Sequence, residues 1–302
     1  MKIKIIGAPL DLGSDHRGVE MGPSLMRAVG LNRMLAELGH EVTDDGNIPV
    51  KIPQQMTHFG NERAKYLDEV HEACERLMIE AGKALGAGAV PLSIGGDHSM
   101  AIGSIAGVAS HFRRKNQKIG LLWFDAHADI NTPETTLTGN IHGMPLAAAL
   151  GMGDDRLVSL GGFAPKVDKR NVALIGIRNL DPLEKDLVKR SGIKVFTMRD
   201  IDERRMNAVM KEALEVALDG TAGIHVSFDM DFVEPRIAPA VGTPVWGGAT
   251  YRESHLAMEM VADTGKIIGL DMAEVNPMLD QAGATAQFGV ELILSAFGKK
   301  IL

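Results

Sequence analysis

Asp125, His127 and Asp129 stand at alternate positions directly after the apolar run Leu121-Leu122-Trp123-Phe124. A run of that kind reads as a buried strand. On an extended backbone, residues i, i+2 and i+4 share one face. The three side chains are therefore expected to converge at the strand's carboxyl end. Two carboxylates and an imidazole suit a divalent transition metal. The carboxyl ends of strands are also where open α/β sheets bind ligands. A polar loop after a core strand would carry the same residues without a metal, so the triplet alone leaves both readings open.

Other strand ends repeat the pattern. Val90 to Ile94 reads as a strand, followed by Gly95-Gly96-Asp97-His98-Ser99. The glycines permit a tight turn and close backbone approach, and His98 becomes a candidate fourth ligand. Ile224 to Phe228 runs into Asp229-Met230-Asp231, and Ile267 to Leu270 into Asp271-Met272-Ala273-Glu274. Gathered at one sheet edge, so many carboxylates repel unless cations neutralise them. One divalent ion rarely uses that many ligands. Two ions about 3.5–4 Å apart do, and they activate a shared water for hydrolysis. Mainly oxygen ligands with two imidazoles favour Mn²⁺ over zinc or calcium. Recurrence at strand ends argues against unrelated surface caps.

The segment from Asn131 to His142 is polar and Thr-rich, and reads as an ordered loop over the site. Asn131, Thr138 and Asn140 supply neutral donors and acceptors able to hold a carboxylate. Each of them alone is also ordinary turn chemistry. His142 lies outside the alternating triplet and is free for proton transfer near neutral pH.

The elements that must position these groups alternate along the chain. Lys2 to Gly7 reads as a first strand. A loop containing His16 follows, with His16 expected at the surface. One helix is expected from Gly22 to Gly39, then a short edge strand over Glu41 to Asp44. Helical spacing of apolar residues extends from Asn61 to Leu85 and makes Cys74 an inert core thiol. Val172 to Ile177 and Ile193 to Thr197 read as strands, with a helix around Met206 to Leu218. Alternating strands and helices argue an α/β fold with a mostly parallel sheet covered by helices. No linker or composition break divides the chain, so residues 1–302 are expected to form one domain.

Composition excludes several classes. The 32 Lys and Arg against 39 Asp and Glu give a net charge of −7. There is no basic run, which argues against nucleic acid and anionic membrane as partners. One cysteine rules out an intrachain disulfide and a thiolate-rich zinc site. No apolar run is long enough to span a bilayer, and Met1 to Gly7 is too short and strand-like for a signal peptide. A cytoplasmic location is the default expectation.

Gly95-Gly96-Asp97-His98-Ser99, Asp125-Ala-His-Ala-Asp129 and Ser227-Phe-Asp-Met-Asp231, in that order, resemble the ureohydrolase (arginase/agmatinase) family. Asp129-Ile-Asn-Thr-Pro133, Thr138-Gly-Asn-Ile-His142-Gly, Gly242-Thr-Pro244, Gly247-Gly248, Tyr251-Arg-Glu253 and Glu274-Val-Asn-Pro277 are most similar to its arginase branch. The resemblance implies a three-layer α/β/α fold with an eight-stranded parallel sheet, two Mn²⁺ ions and assembly into trimers or hexamers. It implies one ion on His98, Asp125, Asp129 and Asp229, and the other on Asp125, His127, Asp229 and Asp231. The implied reaction is hydrolysis of L-arginine to L-ornithine and urea by a hydroxide held between the metals. Glu274 would pair with the guanidinium, Asp129 would accept a hydrogen bond from the nucleophile, and His142 would relay a proton to the leaving amine. Asn131 and Thr138 would face the α-carboxylate, with Asn140 near them. Asp181, helped by Glu184, would face the α-ammonium. Thr243 would support Glu274 or the substrate.

Against the usual arginase pattern, Thr138 replaces Ser, Asn179 replaces Asp, Phe232 and Glu234 replace Gly and Asp, and Val241 replaces Thr. None of these is a metal ligand. Two other readings are open: a ureohydrolase acting on agmatine, guanidinobutyrate or formiminoglutamate, and a catalytically silent homologue.

Overall fold

Side-chain alternation sends each strand's residues to two different cores. In the run before Asp125, Leu121 and Trp123 pack into one cluster, while Leu122 and Phe124 pack into another. All four are fully buried, so the sheet is covered on both faces, as parallel sheets are.

The computed structural model describes residues 1–56 and 58–301, with only the backbone described at Gln54. Its strands are β1 (Lys2–Ala8), β2 (Glu41–Asn47), the two-residue β3 (Gly60–Asn61) and β4 (Ala64–Lys65), β5 (Val90–Gly95), β6 (Lys118–Phe124), β7 (Val172–Ile177), β8 (Lys194–Thr197), β9 (Thr221–Asp229) and β10 (Ile267–Ala273). β3 and β4 pair as a small antiparallel hairpin. The other eight form one sheet in the order β2-β1-β5-β10-β9-β6-β7-β8. Every pairing in it is parallel. All carboxyl ends therefore share one edge, and the motif-bearing strands β5, β10, β9 and β6 are the four adjacent central ones.

The helices are α1 (Gly22–Ala28), α2 (Leu31–Glu37), α3 (Leu67–Gly86), α4 (Ala101–Arg113), α5 (Pro145–Ala149), α6 (Asp155–Val158), α7 (Pro182–Ser191), α8 (Met198–Leu218), α9 (Tyr251–Asp263) and α10 (Ala284–Ala296). Met26 of α1, Leu31 of α2, Val209 of α8, Met258 of α9 and Ile293 of α10 pack on one face. Val70 and Leu77 of α3, with Ile102 and Ile105 of α4, cover the other. No helix among the described residues is long and apolar enough to cross a membrane.

Three local expectations change. The first helix is two, because Gly30 takes a left-handed φ of 104° and breaks the run. The long helix begins at Leu67 rather than near Asn61, since Ala64, although at helical spacing, belongs to β4. The helix expected around Met206 to Leu218 is present; α8 adds a segment before it from Met198, capped by Thr197 and Asp200, with a break at Arg205 (φ 65°) between the two, and the cap satisfies helix-end N–H groups. Strand β10 continues to Ala273, so Asp271 lies within the strand and not at its end. Asp271 accepts from Ser104 Oγ at 2.5 Å and bonds His225 Nε2 at 2.8 Å, inside the layer rather than at the site.

The close approach expected of the Gly95-Gly96 turn is real. A Cβ on Gly96 would stand 1.8 Å from the Leu10 carbonyl oxygen. Backbone cannot yield as a side-chain end does, so Gly96→Ala is expected to cost roughly 1–3 kcal/mol of stability. The denaturant midpoint measures this, and an unchanged midpoint would show that the turn has slack.

Candidate metal centre

The motifs converge, but not by strand alternation. Strand β6 stops at Phe124, and Asp125 to Asp129 follow as an irregular segment in which Asp129 has φ 50°. That left-handed residue turns the backbone and brings Asp129 back towards His98. Asp229 is the last residue of β9, and Asp231 follows in a single 3-10 turn. The Asp231 N–H donates to Asp229 Oδ1 at 2.7 Å, which holds the two carboxylates on one side. His98 opens a short turn after Asp97, which caps it through the Ser99 N–H.

The resulting geometry has two lobes. His98 Nδ1 lies 3.2 Å from an oxygen of each of Asp125, Asp129 and Asp229. His127 Nδ1 lies 3.0 Å from Asp231 Oδ2 and 3.4 Å from Asp125 Oδ1. His98, Asp125 and Asp229 form one group able to hold an ion, and Asp125, His127 and Asp231 form another. Asp125 belongs to both. Neighbouring side chains fix the ligands. Trp123 Nε1 donates to Asp125 Oδ2 at 3.0 Å, and the indole stacks on the His98 ring at 4.2 Å. Ser227 Oγ meets His98 Nε2 at 2.9 Å, and the Ala126 N–H donates to Asp231 Oδ1 at 3.0 Å. A bond on the far ring nitrogen fixes the tautomer that leaves the near one as a ligand.

Charge crowding is visible in the acidities. Burial and the Asp231 and Asp125 charges hold Asp229 well above the ordinary carboxylate range. Burial and Asp125 likewise raise Asp231, and push Asp129 up to about 6. Burial opposes ionisation of Asp125 too, but the neighbouring His127 and His98 imidazoles prevail and lower it. Four buried carboxylates repelling one another around two imidazoles, with His98 Nδ1 buried and lacking a hydrogen-bond partner, are the donor set a divalent cation relieves.

Beside this cluster, His142 Nδ1 lies 3.1 Å from Glu274 Oε1. The His98 N–H also donates to Glu274 Oε1, at 2.9 Å. Glu274 Oε2 is buried without a partner. Burial works against a charged imidazole, but the Glu274 bond and charge outweigh it and push His142 up to about 9.

A cleft of about 180 Å³ leads to the cluster and is lined by His127, Asp129, Asn131, Thr136, Thr138, Asn140, His142, Gly143, Asn179, Asp181, Glu184, Asp229 and Thr243. The loop after Asp129 forms one wall, as expected, and Asp181 at the start of α7 forms another. Asn131 Oδ1 accepts from Thr135 Oγ1, Thr138 Oγ1 from the Asn140 N–H, and Asn140 Oδ1 from Lys65 Nζ. Glu184 turns to the N–H groups of Ile130 and Asp181, at 3.3 and 3.4 Å, and so ties the two walls together. Burial and the Asp129 charge push it up to about 8. His16 is exposed, as expected.

Thr243 lines the cleft, and its Oγ1 donates to Asp231 Oδ2 at 3.1 Å. Thr243→Val is expected to weaken metal binding by about 10–100-fold, the usual cost of losing such a supporting bond. Metal titration measures it, and unchanged affinity would make the bond incidental.

Sequence reasoning missed Trp123, Ser227 and Asp97 as supports. Ser227 had a signal, since it precedes Asp229 by two on β9 and shares its face. Lys65 had none, because the hairpin that carries it is distant in sequence. Phe232 packs against Phe124 and Phe228 at 5.4 Å, in space that a Cβ on Gly176 would take. Glu234 accepts from the N–H groups of Gly247 and Gly248 at 2.9 and 3.0 Å. These two departures therefore serve packing and a loop.

Fold and site together define a three-layer α/β/α protein with a candidate metal centre at its central strand ends. The Arginase family model matches residues 1–298. The arginase of Brevibacillus brevis is 48% identical over 99% of both chains. The solved arginase of Bacillus caldovelox is 46% identical with a TM-score of 0.95, over 100% of this chain and 99% of its own. The Entamoeba histolytica arginase solved with L-ornithine is 31% identical with a TM-score of 0.90, over 99% of each chain. The chain belongs to the arginase family, and it is a hydrolase.

Proposed function

We propose that the chain hydrolyses L-arginine to L-ornithine and urea, with two Mn²⁺ ions held by His98, Asp125, Asp129 and Asp229 and by Asp125, His127, Asp229 and Asp231. The observation that carries the proposal is the pair of ligand groups sharing Asp125, set beside the unpartnered oxygen of Glu274. Bound there, the metals supply Lewis acidity and a water acidified to a nucleophile near neutral pH.

The chain's own residues do the rest. Guanidinium is planar and presents paired N–H donors that a carboxylate matches. Glu274 keeps Oε1 on His142 and offers its unpartnered Oε2 to orient the guanidinium carbon towards the ligand cluster. Asp129 accepts a hydrogen bond from the attacking water. The new C–O bond forms as the C=N π bond opens; the bond from carbon to the side-chain nitrogen then breaks, the protons of the attacking water passing to that nitrogen directly or by way of His142. His142, protonated near neutral pH, delivers a proton to that nitrogen and makes ornithine a good leaving group. At the outer end, Asn131 and Thr138 bond the α-carboxylate with Asn140 behind them, and Asp181 faces the α-ammonium with Glu184 holding its loop.

Neutral donors at the outer end separate arginine from agmatine, which lacks the α-carboxylate. A site left with unpaired polar groups discriminates strongly. Urea release by Mn²⁺-loaded protein is expected to favour L-arginine over agmatine by at least about a hundredfold in kcat/KM. A preference for agmatine would keep the metal chemistry and refute the specificity. Urea from neither would move the reaction to other guanidino or formimino substrates, or leave a silent homologue.

A further inference from the structure

A cavity larger than the catalytic cleft lies elsewhere on the molecule. A space of about 630 Å³ opens at the amino end of β6, the sheet edge opposite the ligand cluster. Its lining includes Arg113, Lys118, Lys166, Lys169 and Arg190, and a single carboxylate, Asp168. That is a strong local excess of positive charge in a chain of net charge −7.

The one carboxylate is already engaged. Asp168 pairs with Lys118 at 2.9 Å and with Arg170 at 2.7 Å. Among the described residues, no carboxylate pairs with Arg113, Lys166, Lys169 or Arg190 within 4.0 Å. Arg113 and Arg190 stand in the last turns of α4 and α7, where the helix dipole favours cations. Helix chemistry does not account for Lys166 and Lys169, which come from the segment between α6 and β7. Lys166 is buried, and its Nζ donates to the Val158 carbonyl at 2.6 Å and to the Phe163 carbonyl. Burial and the Arg113 charge depress it to about 8, a strain that a bound anion would relieve.

The cavity also has an apolar floor. Ile119 and Val167 are buried there, and Leu150 and Met152 are half-buried beside them. The Phe163 ring joins the two halves, with the Arg113 guanidinium 4.5 Å and Lys166 Nζ 4.6 Å from its centre. Unpaired cations around an apolar floor match a ligand with a compact dianion on one end and an apolar body on the other. Guanidinium and ammonium groups in concert suit phosphate oxygens.

We propose that this cavity is a second ligand site, distinct from the catalytic cleft, that binds a small organic phosphate with an aromatic or apolar body. The experiment is calorimetric titration of the metal-loaded full chain with phenyl phosphate, inorganic phosphate and phenol. Phenyl phosphate is expected to bind saturably and at least about tenfold more tightly than either fragment. Lys169→Ala/Arg190→Ala removes two exposed cations without a carboxylate partner. It is expected to weaken phenyl phosphate by at least about tenfold while urea release is unchanged. No saturable binding up to about 10 mM overturns the proposal, as does inorganic phosphate binding equally well. Affinity unchanged in the double variant overturns it too, by placing the phosphate at the catalytic metals instead.

Discussion

Asp125→Asn is expected to abolish urea release, by at least about a thousandfold in kcat, with the fold retained. Asp125 belongs to both ligand groups, so losing its charge damages both lobes at once. Asparagine keeps the shape and one oxygen. It can still accept from the His127 N–H, now at 2.6 Å, or from Trp123 Nε1, now at 3.0 Å. The local backbone should therefore survive while a bridging anion does not. Elemental analysis after gel filtration is expected to show less metal per chain than in the parent, and circular dichroism an unchanged spectrum. Turnover within about tenfold of the parent would show that the two lobes do not depend on a shared carboxylate.

Glu274→Gln comes next in size, with kcat expected to fall by about 10²–10⁴-fold. Two effects add. The guanidinium loses its charged acceptor, and His142 loses the partner that sustains its proton. In the parent, burial alone would lower His142, and Glu274 raises it to about 9. The sign follows: a group raised in this way holds its proton below about 9 and loses it above. Without the carboxylate, burial prevails and the imidazole falls well below that value. It would then be largely uncharged at neutral pH, and unable to deliver a proton. Histidine ring signals followed by NMR against pH are expected to show the His142 midpoint moved down by more than about one unit. If activity fell with the midpoint unmoved, Glu274 would act on the substrate alone and the relay would belong elsewhere. If neither changed, the guanidinium site would have to be sought beyond β10.

Much of the candidate metal centre was legible because its candidate ligands sit next to strand ends. Asp125, His127, Asp229 and Asp231 each follow a run of buried residues within a few positions, and His98 follows a glycine turn. A strand that ends in charge is conspicuous in a sequence. The reason first given for the convergence of Asp125, His127 and Asp129 did not survive. Alternation along a strand would have put them in line, whereas the chain leaves the strand at Phe124 and turns at Asp129. The three side chains still meet because a tight irregular segment also returns alternate side chains to one place. Asp271 shows the opposite failure. It looked like a strand-end acid, but its strand runs on to Ala273 and it is spent on Ser104 and His225.

The sequence by itself determined the strand–helix alternation, the identity of the ligand-type residues and the family, since these depend on local periodicity and on motifs a few residues long. Tertiary structure alone decided strand order, which made β5, β10, β9 and β6 neighbours although they lie far apart in the chain. It also decided that Thr243 holds Asp231, that Ser227 and Trp123 hold His98, and that Lys65 reaches Asn140. It alone gathered the cations from α4, β6, α7 and the segment before β7 into one cavity. Such contacts span tens to hundreds of residues. Their energy comes from burial and hydrogen bonding in three dimensions, which no local pattern records.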